Sequence, residues 1–280
     1  MEPEFEIEYR GKSALLHCPG FDAGMTLDCG QAFRWKCDEN RLWQGVARGR
    51  RLTLSQDKDT VILYDTDREL FENFWYAYFD LGRDYGELKR AYGQDSFLRV
   101  ATEECGGIRI IRQESWEALC SFIISQNNNI PRIKGIVERL CVLLGDDLGD
   151  GFFSFPSAEK IASAGVEALA PIRSGFRAKY IFDAACKVAS GEINFDVISR
   201  MPLTEAENEL KKIKGVGPKV AQCALLYGLG RADAFPVDVW VKRILAELYP
   251  NGMPECTEGT KGIAQQFLFH WRRTVAEHNN

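Results

Sequence analysis

Histidine is scarce in this chain, with three in 280 residues. The nine cysteines are scattered, odd in number and nowhere spaced as CxxC, so neither a catalytic zinc centre nor a disulfide framework has its usual ligands, and a reduced compartment is expected. Long apolar runs are missing too. None approaches the ~18 residues that a membrane span needs, and the acidic opening MEPEFEIEY is unlike a signal peptide; a cytoplasmic protein without membrane partners is expected, monomeric by default. There is no excess of positive charge: 35 Lys and Arg stand against 40 Asp and Glu, a net charge of −5, which argues against an indiscriminate polyanion binder. The distribution is more informative than the sum. Acid is concentrated in 64–75 and 144–150, whereas Arg173, Arg177, Lys179 and the lysines of 211–219 gather positive charge in the second half. No internal repeat or low-complexity tract is visible.

What remains is an ordinary globular composition, 45% hydrophobic, in a chain long enough for two or three packed domains. Up to about residue 66, short runs of β-forming residues (FEIEYR, ALLHC, AFRWKC, LWQGVARG, RLTLSQ, TVILYD) alternate with turn signals, predicting an antiparallel sheet. From Asp67 the period becomes helical. Leu70, Phe71, Phe74, Trp75 and Phe79 form a stripe read as core, and Trp116, Leu119, Ile123 and Ile124 form another, ended by the turn QNNN. The fold class is α+β: a sheet domain over 1–100 with flanking helices, then a mostly helical region over 101–280 in two subdomains.

The chemistry centres on LKKIKGVGPKVAQC, Leu210 to Cys223. Thr204 with Glu207 reads as a capping box opening a helix whose apolar edge, Leu210 and Ile213, continues until Gly215. Pro218 starts a second helix, since its missing N–H is unpaired there anyway; Gly217 is then the cap and Lys219 lies in the first turn. This is a helix-hairpin-helix, spanning 204–229. Its glycines clear side chains from a turn whose N–H groups attract phosphate, with Lys211, Lys212 and Lys214 crowding the same turn. Alone, these features suit a non-catalytic clamp on a nucleic-acid backbone as well as an enzyme. Asp238, in the loop 233–240, tilts the balance. It caps a helix carrying Val241, Ile244, Leu245 and Leu248, and capping does not exclude catalysis. A lysine at the positive end of a helix dipole favours the neutral amine, and an ionised carboxylate nearby stabilises oxocarbenium charge at a sugar C1′ as a base departs.

KGVGPKVAQC followed by PVDVW resembles the helix-hairpin-helix DNA glycosylases with a Gly/Pro-rich turn and a catalytic Asp, and among them the 8-oxoguanine glycosylase/lyases. The resemblance implies that Lys219 is the nucleophile and that Asp238 assists base departure and lyase chemistry. It implies a lesion pocket in which Gly30, within DCGQAFRW, offers its carbonyl to the N7–H that 8-oxoguanine has and guanine lacks. Gln265 bonds the pairing edge, Phe269 stacks, and Cys223 forms the opposite wall; the C-terminal helix that carries the first two is placed at 258–275. Further matches put Asn127 beside the flipped nucleotide, Arg132 and Arg177 on the cytosine left behind, and Phe176 as the wedge where tyrosine is usual. Gly215, Gly217, Val220 and Trp240 fall on the DNA backbone, Trp240 where histidine is common. Carbonyls of Lys211, Ile213 and Val216 match a structural monovalent-cation site; no other cofactor is implied. The iron–sulfur cysteines that some relatives carry are missing, since only Cys256 follows Cys223. The expected partner is duplex DNA containing 8-oxoguanine, placing the protein at the nucleoid in a bacterium or in the nucleus of a eukaryote. Another damaged-base specificity, or a non-catalytic binder of DNA structure, are the alternatives.

Overall fold

A computed structural model describes residues 5–278. The six β-like runs form six strands: β1 (Glu6–Arg10), β2 (Ser13–His17), β3 (Trp35–Cys37), β4 (Trp43–Ala47), β5 (Arg50–Asp57) and β6 (Thr60–Leu63). They make one sheet in the order β1-β2-β6-β5-β4-β3, antiparallel throughout. Register sets Leu16 opposite Val61 and Leu54 opposite Leu63. Because strand side chains alternate, this pairing sends one apolar face inward. Phe71, Trp75, Tyr78 and Phe79 cover that face, and the Trp35 indole donates to the Tyr78 hydroxyl at 2.9 Å. The stripe after Asp67 is therefore core, although its helix is wound as a π-helix over Phe71–Trp75.

The rest is helical. At its centre lies the helix Ser115–Ser125, buried at every residue from Trp116 to Ile124, in contact with the helices Ile130–Leu144, Arg177–Ala189 and Pro218–Cys223. The C-terminal helix, Lys261–His278, packs against Ser96–Glu104 and Val239–Leu248. Gln266 on it donates to the Cys29 carbonyl at 3.3 Å and accepts from the Tyr227 hydroxyl at 2.5 Å, joining the loop before β3 to the far end of the hairpin.

The hairpin differs from expectation at its first helix. Leu203–Leu210 is capped by Pro202 without a side-chain hydrogen bond, so the Thr204–Glu207 capping box does not form. Thr204 already lies inside the helix, and the Glu207 carboxylate accepts from Gln222 at 2.6 Å instead. The helix also stops before Gly215. Tight turns close from Lys212 N–H to Glu209 and from Ile213 N–H to Leu210.

Candidate active site

The second hairpin helix starts as expected, with Gly217 as cap and Pro218 next. The two turn glycines serve different ends. Gly215 has φ of +79°, and the Tyr180 ring occupies the space a Cβ would need, 2.3 Å away; this glycine is required by the protein's own packing. At Gly217 nothing lies within 4 Å of a Cβ, which leaves the cap open to a ligand. The lysines around this turn are partly neutralised. Lys211 lies 3.4 Å from Glu207 and Lys212 2.7 Å from Glu209, because lysines placed three or four residues after an acid on one helix meet it. The crowding expected from sequence is thus reduced. Val220, one residue after Lys219, is buried.

Lys219 donates from Nζ to the Ser125 hydroxyl at 3.0 Å and lies 5.1 Å from the centre of the Phe122 ring. One turn on, Cys223 is buried, and burial pushes its thiol up to about 11, partly offset by the Lys219 charge; it is a neutral wall. Asp238 caps Val239–Leu248, its Oδ1 accepting from Val241 N–H at 2.8 Å. Gln222 fixes the loop that carries it, accepting from Phe235 N–H at 2.8 Å.

Lys219, Cys223, Asp238, Gly30, Gln265 and Phe269 line one recess of about 50 Å³. It is continuous in its lining with an outer cleft of about 390 Å³ that shares Gly30, Phe122, Lys219, Asp238 and Phe269 and adds Trp240. The inner recess has room for only a few waters, and Phe269 stands between it and the outer cleft, lining both. Gln265 is 5% exposed and its Oε1 has no hydrogen-bond partner among the described residues. An unpaired buried amide oxygen costs free energy that a bound donor would return. Gly30, at φ +88°, faces the same space: a Cβ there would lie 3.8 Å from Phe269. A second cavity of about 320 Å³, between the sheet and Ile130–Leu144, contains neither Lys219 nor Asp238.

The residues matched to the opposite strand lie together beyond the end of Ser115–Ser125. Phe176 is 53% exposed, over the Arg177 guanidinium at 4.4 Å. The two arginines are placed unequally. Arg132 is exposed, whereas Arg177 is 3% exposed and donates from Nε to the Gln126 carbonyl at 2.9 Å and from Nη2 to the Asn127 carbonyl at 3.0 Å. Burial, then the Arg132 charge, lowers the pKa of Arg177. Asn127, exposed at φ +47°, does not line the cleft; Asn128 and Asn129 do.

Sequence reasoning missed Ser125, Phe122, Tyr227, Pro236 and Gln222. Phe122 and Tyr227 stack at 5.1 Å and read as core in any periodicity. Ser125 carries no signal beyond its place before QNNN.

A glycine-turned hairpin that delivers a lysine and a helix-capping aspartate to one recess defines the helix-hairpin-helix class of DNA glycosylase. The family model described as HhH-GPD superfamily base excision DNA repair protein matches residues 120–264, and that of the 8-oxoguanine DNA glycosylase N-terminal domain matches 17–119. The chain is 32% identical over 252 residues to an N-glycosylase/DNA lyase of Saccharomyces cerevisiae, covering 80% of this chain and 67% of that protein. A solved structure of MBOgg1 with a low-affinity DNA ligand is 40% identical with a TM-score of 0.90, covering 97% of this chain and 99% of that one. The 8-oxoguanine glycosylase/lyase of Clostridium acetobutylicum, in complex with duplex DNA containing cytosine opposite 8-oxoguanine, is 35% identical with a TM-score of 0.91, covering 98% and 99%. The chain belongs to the HhH-GPD superfamily of base excision DNA repair proteins, in its 8-oxoguanine DNA glycosylase branch.

Proposed function

We propose that the protein is a bifunctional DNA glycosylase/lyase that flips 8-oxoguanine from duplex DNA, removes it and cleaves the strand. The observation that carries this reading is the recess in which Lys219 and Asp238 face the unpartnered Gln265 oxygen. The pairing edge of a flipped purine supplies the donors that oxygen needs, while Phe269 takes the base face and the Gly30 carbonyl the N7–H. The Lys219 amine attacks C1′; as the N–C1′ bond forms, the C1′–N9 electron pair leaves with the base, which takes up a proton. Asp238 stabilises the oxocarbenium charge. Opening of the C1′–O4′ bond gives a Schiff base, and loss of a C2′ proton expels the 3′ phosphate by β-elimination.

Arg132 and Arg177 favour cytosine, whose O2 and N3 accept guanidinium N–H groups where adenine presents a donor amine; the exposed Arg132 is free to do so, while Arg177 must first release donors it gives to the carbonyls of Gln126 and Asn127. The open Gly217 cap and the Trp240 N–H, with Arg243 5.5 Å from that indole ring, take the phosphates. No cofactor is required for the chemistry. The carbonyls of Lys211, Ile213 and Val216 are the ligands of a structural monovalent cation. They follow the end of Leu203–Leu210, where carbonyls lose intrahelical donors, and Ile213 O, which accepts from Val216 N–H at 3.0 Å, keeps a second lone pair. The protein acts as a monomer on chromosomal DNA. Among the described residues no helix is long and apolar enough to cross a membrane.

Borohydride reduction during turnover on an 8-oxoguanine:cytosine duplex is expected to leave a covalent protein–DNA adduct. An active protein that gives no adduct would refute the lyase mechanism.

A further inference from the structure

We propose that Ser125 is a positioning residue for the nucleophile: it holds the Lys219 amine so that the nitrogen lone pair faces the sugar. The inference rests on the reading of Lys219 as nucleophile.

The hydroxyl has two partners, and their directions are fixed by chemistry. Ser125 Oγ lies 2.8 Å from the Phe122 carbonyl, which only accepts, so the hydroxyl hydrogen is committed there. Its oxygen is left as acceptor, and Lys219 Nζ donates to it at 3.0 Å. A nitrogen that gives one N–H to a fixed oxygen and lies 5.1 Å from the centre of the Phe122 ring retains few orientations of the many that a four-carbon stem allows, in the ammonium form and, once a proton is lost, as the amine whose lone pair attacks.

The oxygen is itself fixed. Ser125 ends its helix, and side chains tie down the carbonyls on either side: Gln126 Nε2 donates to Ile123 O at 3.2 Å, Asn128 Nδ2 to Ile124 O at 3.2 Å and Arg177 Nε to Gln126 O at 2.9 Å. Cys223 is the other neighbour of the amine, and a thiol held neutral up to about 11 is a weaker acceptor than the hydroxyl. Effective molarity depends on such alignment, and a misplacement of about 1 Å can cost on the order of 100-fold in rate.

The test compares Ser125→Ala and Ser125→Thr with the unaltered protein on two duplexes, one carrying 8-oxoguanine opposite cytosine and one a preformed abasic site. In Ser125→Ala, single-turnover excision of the base and the rate of borohydride trapping on the abasic duplex should both fall on the order of 10- to 100-fold. The Kd for the lesion duplex should stay within about twofold, because ground-state contacts remain, and the melting temperature should be nearly unchanged. Threonine keeps a hydroxyl able to bond the carbonyl three residues back and should restore both rates. The abasic substrate is decisive, since it has no base to seat and still needs the amine. Normal trapping there by Ser125→Ala, with slowed excision, would overturn the proposal and make Ser125 a wall of the base pocket. Parallel loss of rate, binding and melting temperature would overturn it in favour of a structural role. If the unaltered protein gave no adduct on either duplex, the nucleophile reading would fall, and this inference with it.

Discussion

Asp238 performs two duties with one carboxylate, and they can be separated. Its Oδ1 caps a helix through Val241 N–H, a task asparagine does nearly as well, whereas stabilising an oxocarbenium needs the charge. Asp238→Asn is therefore expected to lose on the order of 100-fold or more in single-turnover excision, with stability changed by less than about 1 kcal/mol. A melting temperature that collapses with the activity would make capping its main role. Lys219→Gln should abolish both base release and strand cleavage while lesion duplex still binds, because the recess walls and the open Gly217 cap remain. Binding titration beside single-turnover kinetics checks this, and normal turnover would remove Lys219 from the mechanism.

The element that joins these residues is the C-terminal end of Ser115–Ser125. The last carbonyls of a helix have no intrahelical donors, and here side chains supply donors to this end and to the two residues beyond it: Asn128 at Ile124, Arg177 at Gln126 and Asn127. Arg177 therefore has a structural duty that the exposed Arg132 lacks. Arg177→Ala strips donors from the buried Ser174 carbonyl and the part-buried carbonyls of Gln126 and Asn127 and should cost about 1–3 kcal/mol of stability, whereas Arg132→Ala should stay within about 0.5 kcal/mol. Each should also relax the preference for cytosine by about 1–3 kcal/mol. Thermal unfolding and excision opposite all four bases measure the two effects independently; equal stability losses would show that the carbonyl contacts of Arg177 carry no energy.

Across the whole molecule, sheet and helices meet at a buried ion pair. Glu117, on the central helix, lies 3.9 Å from Arg34, beside β3, and burial, partly opposed by Arg34, raises its pKa to about 7 from the ordinary 4.5. The folded state then binds more protons than the unfolded state between those values, so this residue makes stability fall as pH rises from about 4.5 through about 7. Glu117→Gln cannot ionise. Its melting temperature relative to the unaltered protein should be higher at pH 8 than at pH 5. A difference independent of pH would mean that Glu117 is ionised throughout and that Arg34 compensates its burial.

Local information was enough for much of this. Short runs of β-forming residues between turn signals marked all six strands, since strand propensity and turn chemistry are both local. Pro218 after Gly217 marked the start of the second hairpin helix, and Asp238 before an apolar period marked its cap, because both depend only on neighbouring residues. Where several local readings competed, tertiary structure decided. Thr204–Glu207 has the form of a capping box, but Pro202 takes the cap and Gln222 takes the glutamate. Gly215 reads from sequence as a glycine that clears space at the turn, and the space its Cβ would fill belongs to Tyr180 from another helix. Arg132 and Arg177 are one residue type in sequence; burial beneath Phe176 and three carbonyls distinguish them. Ser125 was silent because its role is a direction, set by a carbonyl within its own helix and a lysine 94 positions away, and no periodicity or spacing encodes where a hydroxyl's last lone pair points.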